Sequence, residues 1–463
     1  MSTTSNSQPV QVERYSLFTA LCMIVGICIG SGIFFKTDNI LVATGGNVAL
    51  GVMMFVIAST TIVFGGLTLA RFAAKTDGHG GPIAYAEKFL GPHRLTFIGW
   101  HFTFLYFPVV TAIVCWVVGV YATMSFGLPT TFGAQMLVGL LFMLACFAWN
   151  VLWPKLGGYL QNATTLAKVL PLVVVGIVGM LFADPVATLA EGAKAAPAAG
   201  LGWVAAAAPI AFAFDGWSAA AGIAPELKNA KRNLPLALTL GPLLILVLYV
   251  AYFLGVSCYL GPEQVMAAGD ASLSLLFAKL FGPGAAALPN VIALIAVAGT
   301  ANGLILTYLR MPFAMALHDE MPCSKRVRRI NPTLNFPLAS ALVALGMTLF
   351  WFLVHYVVTT LGLLPNGDIS EVGVSMTLLI LPVFYIEALL HDPAGEFHGS
   401  KRVVRAIAPV AALVSSLAIG LSSISDPSRW PFVAAHVAVL AIATLLVQRK
   451  FAGNGKKTQA AEA

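Results

Sequence analysis

Charge is what this sequence has least of. Asp, Glu, Lys and Arg make up 10% of its 463 residues, where a soluble protein carries about 25%. Set against 59% hydrophobic residues and a mean hydropathy of +0.87, that scarcity excludes a soluble globule and makes a bilayer the main solvent. Cysteine is sparse as well. Cys22, Cys28, Cys115, Cys146, Cys258 and Cys323 show neither metal-ligand spacing nor a disulfide pattern, and most fall inside apolar runs as small buried residues. No G-x-x-x-x-G-K-[ST] phosphate loop occurs, which removes nucleotide hydrolysis as a driving force. No cluster of His, Asp, Glu or Cys gathers near one face as a membrane enzyme requires, so neither catalysis nor a metal or cofactor is expected. The first apolar run lacks a small-residue cleavage site, and no signal peptide is evident.

What is present is apolar sequence in span-length blocks. A bilayer crossing takes roughly 20 apolar residues, and about twelve such spans are predicted: Leu17–Phe35, Val48–Arg71, Leu95–Met124, Gln135–Trp153, Thr165–Phe182, Trp203–Ala224, Leu236–Leu260, Ala285–Pro312, Pro337–Leu361, Val372–Leu390, Val403–Leu421 and Pro431–Gln448. They are numbered 1 to 12 below. The expected organisation is a tail over 1–16, one transmembrane domain over 17–449 and a second tail over 450–463, with both tails polar and disordered. The stretch Pro262–Phe281 is amphipathic enough for a short helix across the outer face.

The net charge of +7 does not point to nucleic acid, because its distribution follows the membrane. With the amino terminus inside, the even-numbered loops and both tails hold all of the 26 Lys and Arg except Lys36, Lys194, Lys279, Arg429 and Lys168. This positive-inside bias predicts a multi-pass plasma-membrane protein with both termini cytoplasmic.

Span 1 contains "VGICIGSGIFFK" (Val25–Lys36), and span 6, five spans later, contains "AFAFDGWSAAAG" (Ala211–Gly222). A broken backbone in hydrocarbon costs several kcal/mol per unsatisfied group, so each break must be filled by protein, water or ligand. Breaks at matching positions of two halves point to an inverted-repeat transporter with its site at the breaks. The second half of span 1 would offer free amides from Ser31, Gly32 and Ile33, an anion site without a charged side chain. Gly30 and Gly32 let a ligand approach the backbone. Near Phe212–Asp215 the unwound span 6 would offer carbonyls to an ammonium. Amides beside carbonyls match an α-amino acid zwitterion; ordinary small-residue packing and a simple kink are the alternative.

Four ordered motifs then carry a family resemblance: "GSGIFFK"; "GGPIAYAEKFLG" at Gly80–Gly91; "FAFDGW" followed by "PELKNAKRNLPLAL" at Pro225–Leu238; and "GTANGLILTYLRMPFAMALHDEMP" at Gly299–Pro322. From Leu17 to about Gln448 the chain resembles the amino acid–polyamine–organocation superfamily, within it the L-type amino-acid transporters and bacterial serine/threonine exchangers. One departure is "NAKRN", with Ala230 where the family commonly has proline. The resemblance implies an all-α, LeuT-like five-plus-five inverted repeat (about 17–182 and 203–390, with extra helices over 403–448), alternating access and exchange. It places the carboxylate turn at Ser31, Gly32 and Ile33, the ammonium carbonyls at Cys28 or Ile29 and Phe212 or Asp215, and the outer closing aromatic at Phe212. Without the motif, Phe212 reads as ordinary packing.

Lys168, in "TTLAKVLPL", is the lysine placed well within a span. The resemblance puts its ammonium where sodium sits in coupled relatives, held by carbonyls around Gly26 and a hydroxyl such as Thr300, and implies transport without sodium. Snorkelling to the interface is the alternative, since Lys168 lies a few residues into the predicted span 5. Asp215 has three readings: a cap on the second half of span 6, where Gly216 and Trp217 fit a helix start; a partner for a cationic substrate; or a proton carrier. His101 and Trp100 read as an interfacial pair, and His355 and His436 as isolated. Glu226, Lys228, Lys231 and Arg232 form either an inner lock or solvated loop charge. The expectation is a carrier of small or neutral L-amino acids, with proton symport, cationic substrates or a channel as alternatives. No obligatory partner subunit is evident, since no cysteine stands in the outer loop between spans 3 and 4.

Overall fold

The computed structural model describes residues 14–76, 80–194, 210, 212–364, 369–391 and 406–462. Among the described residues ten helices are long and apolar enough to cross a membrane. An eleventh, Ala408–Ser423, is shorter, and its predicted start at Val403 lies outside the described residues. Span 6 is broken: Phe212–Phe214 and Trp217–Glu226 are tight helical turns, while residues 203–209 and 211 of that predicted span lie outside the described residues. The architecture is that of an all-α membrane protein of the inverted-repeat class.

The repeat is visible in which helices touch. Span 2 (Val48–Ala74) packs along span 7 (Ala230–Leu260), and span 3 (Arg94–Ser125) along span 8 (Leu288–Tyr308). Each pair lies five spans apart in the chain, so equivalent helices of the two halves face one another. Span 1 sits among them, against spans 5, 7 and 8 and the second half of span 6. Small residues set the closest approaches: a Cβ added to Gly179 of span 5 would stand 2.2 Å from the Gly255 carbonyl of span 7. In a bilayer, where lipid competes for every apolar face, such tight backbone packing drives association.

Three features depart from the hydropathy reading. Span 5 runs Pro154–Leu181 rather than from Thr165. Its first turns carry Gly157, Gly158 and Gln161, which are buried against protein rather than lipid, so polarity there does not end the span. Span 3 passes through a π-helical turn, His101–Tyr106. The last helix runs Trp430–Glu462, through the segment expected to be a disordered tail; its Ala, Lys, Gln and Glu are good helix formers. Residues 262–281 form two short helices, Pro262–Ala268 and Ser272–Phe281.

Candidate substrate site at the paired helix breaks

Span 1 stops being a helix after Cys28. Ile29 caps it at φ −79° and ψ 84°, its amide donating to the Val25 carbonyl at 2.9 Å, and the Gly30 amide turns back to the Cys28 carbonyl at 2.9 Å. A short turn, Gly32–Phe35, then restarts the span. Among the described residues no backbone carbonyl accepts from the amides of Ser31, Gly32 or Ile33. A Cβ built on Gly32 meets nothing within 4 Å, so open space lies beside this turn.

Span 6 breaks opposite. The Asp215 amide closes onto the Phe212 carbonyl at 3.1 Å, and Gly216 takes φ +90° before the chain coils again from Trp217. A Cβ on Gly216 would fall 2.4 Å from the Ile27 side chain; glycine is required here for both its φ and its thinness. Tyr249 of span 7 ties the breaks together, its hydroxyl 2.7 Å from the Ala213 carbonyl and 3.1 Å from that of Cys28. The Cys28 thiol donates to the Phe214 carbonyl at 3.5 Å.

Between the breaks lies a cavity of about 530 Å³. Cys28, Gly30, Ser31, Gly32, Ile33, Phe212, Asp215 and Thr300 all line it. Ile29, Gly216 and Trp217 do not: Ile29 is fully buried with its carbonyl turned to Lys168, and Trp217 is packed at 3% exposure. Of the paired expectation "Cys28 or Ile29", the cavity therefore receives Cys28. The Asp215 carboxylate accepts from the Tyr106 hydroxyl at 2.8 Å and from the Gly216 amide, where the chain begins to coil again. Opposite the breaks the wall is aliphatic, from Val110, Ile113 and Val114 of span 3, Val297 and Leu304 of span 8 and Val374 of span 10. Valine and isoleucine on a membrane span carry no sequence signal that separates a cavity wall from a lipid face. The Tyr106 pairing, three spans away in the chain, leaves none either.

Lys168 sits behind this surface, fully buried in the middle of span 5. Its ammonium donates to the carbonyls of Gly26 (2.5 Å), Ile29 (2.8 Å) and Ala296 (2.8 Å), with the Thr300 hydroxyl at 3.4 Å. Three protons meet three carbonyls. Snorkelling rested on the late predicted start of span 5, and that start was wrong. Two of these carbonyls, Gly26 and Ile29, belong to the end of a broken helix, which Lys168 fastens to span 8.

One end of the cavity is sealed. The amides of Arg14 and Tyr15 donate to the Glu226 carbonyl (2.8 and 2.9 Å), the Lys228 amide donates to Tyr15 (2.9 Å), and the buried Glu226 carboxylate pairs with Arg310 at 2.6 Å and Arg14 at 3.9 Å. Glu226 is thus a buried ionic lock, while Lys228 and Arg232 of the same predicted cluster are exposed. The cavity opens at the other end, where Lys36 faces Glu371, Asp426 and Arg429 across the rim. Arg429 pairs with Glu371 and donates to the Ser423 carbonyl at 2.8 Å. The Asp426 carboxyl is held below the usual range by hydrogen bonds from the Ser428 amide and hydroxyl.

His101 and His436 are neither interfacial nor isolated. Their rings hydrogen-bond at 3.0 Å inside the bundle, and the other His101 nitrogen reaches the Thr377 hydroxyl at 2.9 Å. Among the described residues no group of three or more His, Cys, Asp or Glu is placed to hold a metal ion.

The chain matches the family model described as amino acid permease over residues 15–389. It is 24% identical over 418 residues to the serine/threonine exchanger SteT of Bacillus subtilis, an alignment covering 89% of this chain and 92% of that protein. It is 26% identical over 321 residues to the mouse b(0,+)-type amino acid transporter 1, covering 67% and 64%. With the human Asc-type amino acid transporter 1 it shares 25% over 434 residues, covering 90% and 78%.

Proposed function

The chain belongs to the amino acid permease family of the amino acid–polyamine–organocation superfamily and is an amino acid transporter, and from that premise we propose that it exchanges small or neutral L-amino acids across the plasma membrane without sodium. The observation that carries this reading is the cavity itself: unclaimed amides at Ser31, Gly32 and Ile33 stand with the carbonyl end at Phe212, and below the charged rim the wall from spans 3, 8 and 10 is aliphatic. The carboxylate takes the amides. The ammonium takes the second lone pair of the Phe212 carbonyl with Asp215 beside it, and the side chain rests on Val110, Ile113, Val114 and Val374. A charged side chain would find no counter-ion on that wall and would lose its hydration. Phe212 at the cavity edge closes over the bound substrate.

Sodium independence is supported by Lys168, whose ammonium occupies the oxygen cage that a coupling cation would need. The distribution of Lys and Arg supports cytoplasmic termini, and on that orientation the sealed end is the inner one and the conformation outward-open. Transport by the single chain, without a covalently attached partner, is supported by the absence of cysteine from residues 126–131.

Purified protein in proteoliposomes preloaded with unlabelled serine, threonine, alanine or valine should accelerate uptake of the labelled amino acid, equally in sodium and choline media. Uptake indifferent to preloading would reject exchange. One observation favours a second reading, proton symport: the Asp215 carboxylate faces the cavity beside the breaks, and its hydrogen bonds come from neutral donors, the Tyr106 hydroxyl and the Gly216 amide. An inward pH gradient that drives uptake into empty vesicles would decide for it.

A further inference from the structure

Away from the substrate cavity, the loop that follows span 8 folds over the last helix and leaves a second hollow of about 730 Å³. Its two walls differ in kind. Trp100, Met321, Pro322, Ala443 and Leu446 make one side apolar, and Leu446 is 59% exposed on the outer surface of the bundle, so the hollow opens toward the acyl chains of the bilayer. Lys325 and Arg326 stand exposed at its other edge, with Arg328 and Arg329 next in sequence.

Asp319 and Glu320 line the hollow as well, each held by a protein partner: Glu320 is buried and its carboxylate accepts from the Thr96 hydroxyl at 2.6 Å, while Asp319 pairs with Arg328 at 3.5 Å. Among the described residues no ion pair engages Lys325 or Arg326. The loop is also held in place before any ligand arrives. Trp100 donates through its indole nitrogen to the Glu320 carbonyl at 3.0 Å, and the Ser324 hydroxyl to the Met321 carbonyl at 2.6 Å. A solvated basic loop would have no reason to roof an apolar hollow.

We propose that this hollow binds one anionic diacyl phospholipid, its phosphate between Lys325 and Arg326 and the first part of its acyl chains along Trp100, Ala443 and Leu446. Basic clusters at the membrane surface attract anionic headgroups, and the amphipathic indole of Trp100 belongs at headgroup depth. Because the site joins the span 8 loop, the start of span 3 and the last helix, an occupied site braces three elements that the substrate cavity does not itself connect.

The test uses the full chain, purified in zwitterionic detergent and titrated separately with phosphatidylglycerol, phosphatidylcholine and inorganic phosphate while the unfolding temperature is followed. Phosphatidylglycerol should raise that temperature saturably, by about 3–5 °C, and the other two should not. The double substitution Lys325→Ala with Arg326→Ala should weaken the phosphatidylglycerol response about thirtyfold in concentration, and Lys325→Arg should retain it. Both positions are exposed and remote from the substrate cavity, so uptake in phosphatidylcholine vesicles should be unchanged. A response to phosphatidylcholine of equal size, a response to phosphate alone, or an undiminished response in the double variant would each overturn the assignment.

Discussion

Replacing Lys168 with methionine keeps an unbranched side chain one atom shorter and removes its three donors. Gly26 and Ile29 end a broken helix, so their carbonyls have lost the amides that would follow in an intact one; Ala296 lies within span 8 and keeps its helical partner. The Thr300 hydroxyl lies 3.2 Å from the Gly26 carbonyl and 3.4 Å from that of Ile29, but it has one proton to give. One carbonyl is therefore stranded in a dry interior and a charge-assisted bond is lost, for about 2–4 kcal/mol. Because those carbonyls fix the angle at which Ser31–Ile33 follow, uptake should fall at least about tenfold, the equivalent of about 1.4 kcal/mol in the aligned state. Thermal unfolding of the purified variant and counterflow in vesicles read the two effects separately. Lys168→Met with wild-type unfolding temperature and wild-type counterflow would refute the idea that this ammonium fastens the broken helix.

Two glycines at the breaks should respond oppositely. Gly216→Ala forces a side chain into positive φ and against Ile27, costing about 2–4 kcal/mol of stability. Gly32→Ala points into open cavity and should leave the unfolding temperature alone while weakening amino acid affinity about tenfold, read by competition binding. Glu226→Gln leaves Arg310 buried without its counter-ion and should lower stability by about 3–5 kcal/mol. It should also reduce thiol labelling of Cys28 from the open side, whereas Lys228→Gln, on the surface, should do neither. Asp215→Asn still accepts from Tyr106, so neutral amino-acid exchange should persist within about twofold and lose no pH dependence; collapse of exchange would show that the carboxylate's charge is used.

Much of this arrangement could be read from the chain before any coordinates. The paired interruptions at Gly30–Gly32 and Phe212–Asp215 and the buried position of Lys168 follow from costs that a residue meets wherever the helix goes: an unpaired amide or a lone charge in hydrocarbon. Half of the Lys168 cage, Gly26 and Thr300, was named in advance; the carbonyls of Ile29 and Ala296 were not. Hydropathy misplaced the start of span 5 because Gly157, Gly158 and Gln161 are polar yet buried, and a sliding average cannot tell protein from water.

The sequence alone determined the solvent, the all-helical fold class and the two breaks, since each is a one-body transfer cost summed along the chain. Only the tertiary structure decided that Tyr106 faces Asp215, that His101 meets His436, that Glu226 closes on Arg310 and that valines of spans 3 and 10 wall the cavity. Those are two-body relations between residues far apart in the chain. They depend on the rotation of each helix about its own axis, and in a uniformly apolar bilayer that rotation is set by close packing against neighbours rather than by any local pattern.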